Sequence, residues 1–465
     1  MKTSDKIHIV LITVALAFWN PISFYLIYAD TELIHLKISN LICWIVTSLG
    51  IVIIILIIKN KINDFLKNVF LSLAFFGIIF SLVVFIDRGI GLFLAKGNMG
   101  LIFEPNSKAR YQTPEFDYAV EINSIGLRDR EVEINKGDKY RILCFGDSWT
   151  LGWGVDIKNS WPKKLEDFLV NKGFDNIEVI NCGQSGQYTT VYKKQMERAI
   201  PLLKPDLVLV GVLQGENIVR LYEEEFLHRA KTNKINIGYI IIYLKDSFQA
   251  FIEASFHNSL KIVKKIRSRN TIDIHQNWQS VALDTISNLN GFDKLRYQSI
   301  DNTIKDMFET GNLSPGLINE IRLQEKLLIA NDPYNAATLC AINEMKKDFE
   351  QMKIICDKYD AKLIFLNLPL PELTGHNVIR TPALDILNNY ASKNNRIDSI
   401  YKSVALHVNI PYFELTERFK KLSDKSSYFF KYDGHPNENG YAEMAKGIGE
   451  YLIIEYNLES KIKKE

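Results

Sequence analysis

The chain has 465 residues, enough for more than one domain. Its 56 Lys and Arg against 54 Asp and Glu leave a net charge of +2, so charge points to no nucleic-acid or acidic partner. Five cysteines, with no Cys-x-x-Cys pair, define neither a disulfide framework nor a zinc pattern.

Three apolar runs open the chain, at about 9–29, 41–58 and 69–86, each near the ~20 residues that cross a bilayer. None carries a charge, and Asn20-Pro21 predicts a kink in the first. A cleaved signal peptide is the rival reading of that run, but the run is long and Ile27-Tyr-Ala29 is a poor cleavage site. Lys2 and Lys6 precede the first run, and Lys59, Lys61 and Lys67 follow the second. The loop between them holds Asp30, Glu32 and Lys37. This asymmetry predicts three transmembrane helices with the N-terminus inside, so that everything beyond Asp87 faces the extracytoplasmic side.

Residues 87–138 read as a connector and entry segment, rich in glycine at first and then carrying Pro105 and Pro114. The apolar run Ile142-Leu-Cys-Phe145 predicts a buried strand, which Gly146-Asp147-Ser148 closes in a tight turn. Beyond it strands and helices alternate. A helix is expected after Ser160, a strand over 177–181, a helix over 189–203 and a strand over 206–213. Further strands are expected over 362–368 and 407–413, and a closing helix over 439–456. The alternation predicts an α/β fold with a three-layer parallel sheet over about 139–456. Residues 219–336 are too long for a plain crossover and read as a helical insertion able to roof a site. The tail 461–465 reads as a solvated end.

Ser148 stands at the carboxyl end of a strand, where open α/β sheets place their chemistry. A serine hydroxyl needs a neighbouring base before it attacks a carbonyl. Gly-Asp-Ser alone is equally a turn, since all three residues favour turns. Ser185 is a rival nucleophile, but Gly183-Gln-Ser-Gly-Gln187 lacks the last glycine of a Gly-x-Ser-x-Gly elbow. Among eight histidines, His435 lies in a polar turn, Asp433-Gly-His-Pro-Asn-Glu-Asn-Gly440, that opens the final helix. His275, in Asp273-Ile-His275, competes by pattern but falls in the insertion with no flanking turn.

Together Gly146-Asp147-Ser148, Asn181-Cys-Gly-Gln-Ser-Gly186, Gln214-Gly-Glu-Asn-Ile218 and the Asp433 turn resemble the blocks of the SGNH (GDSL-type) hydrolase superfamily. The resemblance runs from about 142 to 445, broken by the insertion, and implies a flavodoxin-like hydrolase domain. It implies Ser148 as nucleophile, His435 as general base and Asp433 as the acid that orients it. It also implies an oxyanion hole from the backbone N–H groups of Ser148 and Gly183 and the side-chain amide of Asn217. Two departures stand out. Asp433 lies two residues before His435, where the usual block has three, and Ile218 replaces the Asp of Gly-x-Asn-Asp. Glu121-Ile-Asn-Ser-Ile-Gly-Leu-Arg-Asp129 resembles the leader found before this strand in exported members, with no chemistry assigned to it. Trp149, Trp153 and Tyr188 flank the blocks and fit either a substrate groove or the core.

The function implied is a membrane-anchored ester hydrolase acting on O-acylated extracytoplasmic glycan or lipid. An O-acyltransferase with the same residues and an inactive glycan-binding or assembly subunit are the alternatives. A transporter is disfavoured, because the apolar runs carry no charge to line a pathway. No cofactor or metal signature is present: there is no Gly-rich phosphate loop and no His-Glu-x-x-His.

Overall fold

The computed structural model describes residues 3–23, 33–95, 100–222, 255–256, 259, 274–289, 291–376 and 395–462. Of these, 33–42, 88, 90–95, 274–276, 292, 319–326 and 461 are described by backbone alone. The chain divides into two compact units, residues 1–97 with 234–271, and residues 98–233 with 272–465.

The first unit holds the helices Thr3–Phe18, Leu33–Ile58 and Asp64–Ala95. Ile12, Ala15, Ile53, Ile57 and Ala74 form their shared apolar contact. Polar anchors fix the register: the Trp19 indole donates to the Gly77 carbonyl at 3.1 Å, and Lys67 pairs with Asp5 at 2.9 Å. Ser259, from the insertion, donates through its N–H and hydroxyl to the Asp87 carboxylate.

Among the described residues two helices, not the three expected, are long and apolar enough to cross a membrane: Thr3–Ser23 and Asp64–Asp87. The middle run lies in the helix Leu33–Ile58, whose residues 33–42 are described by backbone alone, and its fully described part, Cys43–Ile58, is a shorter apolar helix. The whole helix has 26 residues, enough at ~1.5 Å each to reach across the ~30 Å hydrocarbon layer. A core helix or a signal sequence passes the same test of length and composition. The last part of the first run, 24–29, lies outside the described residues, as do most of the insertion between 223 and 273 and the tail 463–465.

The second unit is built on a five-stranded parallel sheet of β3 (Tyr140–Gly146), β4 (Ile177–Gly183), β5 (Leu207–Leu213), β6 (Lys362–Leu368) and β7 (Tyr412–Glu414). The strand order is β4-β3-β5-β6-β7. Every residue of β3, β4 and β5 is buried, which explains the apolar runs Ile142–Phe145 and Leu207–Leu213: helices cover both faces, and the buried Arg141 of β3 pairs with Glu178 of β4 at 2.6 Å. The helices Trp161–Asn171 and Glu438–Ile454 pack together beside β4. A second group, Thr189–Leu203, Ala336–Lys358 and Ile397–Val408, packs against β3 and β6. Each fully buried Leu, Ile or Val contributes about 1.5–3 kcal/mol by leaving water. The chain leaves β3 toward β4 on one side and returns to β5 on the other. This reversal opens a crevice at the carboxyl ends of β3 and β5.

Two local expectations are corrected. The last strand is only Tyr412–Glu414, and His407 lies instead in the helix Ile397–Val408. That helix continues to Asn409, whose left-handed backbone (φ 55°) ends it, and the strand starts only after Pro411. The connector also contains an antiparallel hairpin, β1 (Lys108–Gln112) with β2 (Asp117–Glu121), held by Arg110–Asp117 and Lys108–Glu121 pairs.

In the insertion, the helices Ile274–Ser287, Gly291–Ser299 and Asn302–Glu309 gather around Ala282, Tyr297, Ile304 and Phe308. Tyr432, one residue before Asp433, packs against this cluster.

Candidate active site

Ser148 follows β3 directly and begins the short helix Ser148–Leu151. Asp147 accepts from the Trp149 N–H at 3.0 Å and so fixes the turn from strand to helix. Asp147 is buried, and its carboxyl is raised above the usual range, first by burial and then by the charge of Glu216.

The loop 430–436 arrives from the far end of the chain. The Phe430 N–H donates to the His435 carbonyl at 2.8 Å, the Gly434 N–H donates to the Phe430 carbonyl, and Gly434 turns the chain at φ 79°. His435 Nε2 lies 2.8 Å from the Ser148 hydroxyl, and His435 Nδ1 lies 2.6 Å from Asp433 Oδ1. A carboxylate opposite Nδ1 keeps the ring proton there and leaves Nε2 as the acceptor for the serine O–H. Asp433 is 1% exposed and also accepts from the Trp153 indole at 3.2 Å and the His435 N–H at 3.2 Å. The two-residue spacing between acid and histidine therefore brings the carboxylate to the ring. Trp149 and Trp153 lie 6.1 and 5.8 Å from the imidazole, centroid to centroid. Trp278 of the insertion stacks on Trp153 at 6.4 Å.

Asn217, in the helix Glu216–Leu221 after β5, is wholly buried. Its Oδ1 accepts from the Thr189 N–H at 3.1 Å, which fixes the orientation of the amide. Among the described residues its Nδ2 makes no hydrogen bond of good geometry, although the amide lies close enough to the Tyr192 hydroxyl to offset part of the rise in pKa that burial gives that group. The Tyr192 hydroxyl nearby donates to the Gln187 carbonyl instead, at 2.9 Å.

Gly183 does not meet the expectation. Its N–H donates to Asn181 Oδ1 at 2.9 Å, so it is already spent. The glycine serves packing: a Cβ there would stand 2.2 Å from the Leu151 nitrogen. Gly186, three residues on, has φ 76° and open space where a Cβ would stand.

Ser185 is exposed and has no histidine partner among the described residues. His275 lies in the first turn of Ile274–Ser287, and its side chain lies outside the described residues. Tyr188 precedes the helix Thr189–Leu203. Cys144 and Cys182 are buried thiols whose pKa burial raises.

Several residues to which no chemistry was assigned shape the site. Asn181 Nδ2 donates to the Thr150 carbonyl at 2.8 Å, and Asn181 N–H donates to Asp129 at 2.7 Å. The buried Arg128 guanidinium donates to the carbonyls of Leu151, Gly152 and Val155, fastening the segment behind Ser148. The leader thus positions the site, and its Arg-Asp pair was the signal. Glu115, in the turn between β1 and β2, accepts from the N–H groups of Tyr432 and Asp433 at 2.9 and 2.7 Å.

No family model matches the chain. Over 70 residues, 15% of this chain, it is 36% identical to a curated protein described as an arylesterase from Vibrio mimicus. That stretch is 34% of the relative, so the chain spans about a third of the length of the curated protein it matches. Similar solved structures include TesA (TM-score 0.32, 12% identity, 67% of this chain and 97% of that one). They also include a GDSL-like lipase from Bacteroides thetaiotaomicron (TM-score 0.30, 12% identity, 68% and 88%). A lipase/acylhydrolase from Enterococcus faecalis is a third (TM-score 0.31, 12% identity, 67% and 94%). Likeness at this level leaves the reading of the site to its own atoms.

Proposed function

We propose that this chain is a serine ester hydrolase of the SGNH type, anchored in a membrane and deacylating an extracytoplasmic glycan or lipid. One observation carries the reading: the line of contacts from the Ser148 hydroxyl through both nitrogens of His435 to the buried Asp433. In this reaction Ser148 Oγ attacks the acyl carbonyl while His435 Nε2 takes its proton, and Asp433 stabilises the imidazolium. Negative charge builds on the carbonyl oxygen, where Asn217 Nδ2 and the Ser148 N–H donate. Gly186 fills the place of the backbone donor that Gly183 cannot. Collapse expels the alcohol, protonated by His435, and leaves an acyl ester on Ser148. Water, deprotonated by the same nitrogen, then releases the acid. The arylesterase match agrees with ester chemistry.

Membrane anchoring rests on the helix Asp64–Asp87, only 6% of whose most apolar window is buried. A core helix hides such a surface, and this one exposes Phe65, Leu73, Phe76 and Phe85. The lysine asymmetry sets the orientation. Acyl transfer to a sugar hydroxyl is the second reading, favoured by Trp278 and Trp153 stacked beside His435, an aromatic cover that sheds water.

The test is fluorophosphonate labelling of the full chain in detergent, beside Ser148→Ala. Labelling that disappears only in the variant is the expected result. A folded wild-type chain that resists the probe and turns over no aryl acetate overturns the reading.

A further inference from the structure

The catalytic loop 430–436 has to hold His435 within hydrogen-bond reach of a serine on a different element. Part of that task falls to the hairpin. Glu115 lies half-buried in the turn between β1 and β2, and each of its carboxylate oxygens takes one backbone N–H of the loop: Oε1 from Tyr432 and Oε2 from Asp433. The turn that presents it is closed twice. The Thr113 N–H donates to the Phe116 carbonyl at 2.8 Å, and the Thr113 hydroxyl accepts from the N–H groups of Glu115 and Phe116. Phe116 is buried against Phe430 at 5.1 Å and Trp153 at 6.3 Å, which seats the turn on both flanks of the loop.

A carboxylate is an unexpected group at this point. It sits close to Asp433, another acid, and burial together with that charge raises its pKa, while the amides of Tyr432, Asp433 and Lys431 pull the other way. Surface turns place glutamate in water. This one is used as a two-pronged acceptor for consecutive amides, charge-assisted bonds roughly twice as strong as neutral ones.

We propose that Glu115 is a positioning residue for the proposed ester hydrolysis: it clamps the backbone of Tyr432 and Asp433 and thereby aims His435 at Ser148. The inference rests on Ser148, His435 and Asp433 being the catalytic groups. Glu115 touches neither substrate nor reacting atoms, so its removal lowers the rate of attack and leaves substrate binding alone. Misplacing a catalytic group by about 1 Å lowers rates by up to about a hundredfold.

The experiment compares the full chain with Glu115→Gln, Glu115→Asp and Thr113→Val, using p-nitrophenyl acetate turnover, fluorophosphonate labelling rate and thermal midpoint. Glutamine keeps the shape but turns an NH2 toward one amide. The expected result is a fall of about ten- to a hundredfold in kcat and in labelling rate, with KM and midpoint little changed. Thr113→Val, which frees the turn without touching the loop, shifts kcat the same way. Glu115→Asp keeps the charge and recovers part of the rate. If Glu115→Gln fails to fold, Thr113→Val and Glu115→Asp carry the same comparison. Wild-type kcat and labelling in every folded variant overturn the clamp while leaving the hydrolase reading intact. A wild-type chain with no labelling and no turnover overturns both.

Discussion

Replacing Asn217 by alanine separates a catalytic amide from a structural one. The side chain is wholly buried, with Oδ1 bound to the Thr189 N–H and Nδ2 without a good partner. An unmade hydrogen bond on a buried donor costs about 1–3 kcal/mol of stability, and the Thr189 bond returns only about 1 kcal/mol. The folded protein gains from this amide only the Thr189 bond in the resting state. An oxyanion arriving in front of Nδ2 changes the balance, and losing one such donor costs about 2.7–4 kcal/mol, or 10²–10³ in kcat. Asn217→Ala is thus expected to lose about 10²–10³ in aryl-acetate kcat, while its denaturation midpoint falls by the equivalent of about 1–3 kcal/mol because the Thr189 N–H loses its acceptor. KM is expected to stay near wild type, because the donor acts on charge present only in the transition state. A variant that keeps kcat within about threefold, or that loses several kcal/mol of stability with its activity, refutes the reasoning.

Other contacts carry expectations of their own. Asp433→Asn leaves the ring without its fixed tautomer, and kcat is expected to fall about 10⁴-fold, as in a serine protease so altered; a loss below tenfold speaks against the acid. Gly183→Ala puts a Cβ 2.2 Å from the Leu151 nitrogen. It should destabilise the chain by about 1–3 kcal/mol, read as a lower urea midpoint, while Gly186→Ala, with room for its Cβ but a left-handed backbone, should cost about 1–2 kcal/mol. Arg128→Met removes a buried cation bound to three carbonyls of 151–155 and is expected to lower stability by roughly 3 kcal/mol or more, with Arg128→Lys no rescue. Burial, with help from Lys425, pushes His376 down to about 4. The unfolded chain binds that proton near pH 6.5, so the stability from neutral His376 is complete above about 6.5 and drains away as pH falls toward 4. His376→Gln should flatten this acid limb of the stability curve, and an unchanged limb counts against it.

The sheet was legible because strands buried on both faces carry little but apolar residues, as in Ile142–Phe145 and Leu207–Leu213. Ser148, His435, Asp433 and Asn217 stood out as candidates because each lies in a polar turn beside such a strand or helix, in blocks that resemble those of SGNH hydrolases. The place of Gly183 was not, because Asn181-Cys-Gly-Gln-Ser-Gly186 offers two glycines, and only packing shows that the first is pressed against Leu151. The hairpin left a trace in the chain: Lys108-Ala-Arg-Tyr-Gln and Asp117-Tyr-Ala-Val-Glu alternate across a Thr-Pro-Glu-Phe turn. Glu115 left none, since a glutamate after proline looks the same whether it faces water or two distant amides.

Ser148 and His435 touch across 287 positions of chain. A ribosome therefore exposes the serine long before it makes the base. Under the proposed mechanism the hydroxyl stays an ordinary one throughout that interval, because its base has yet to be made. Docking of loop 430–436 would complete the pair, and a chain cut short anywhere before Asp433 would lack both the acid and the base.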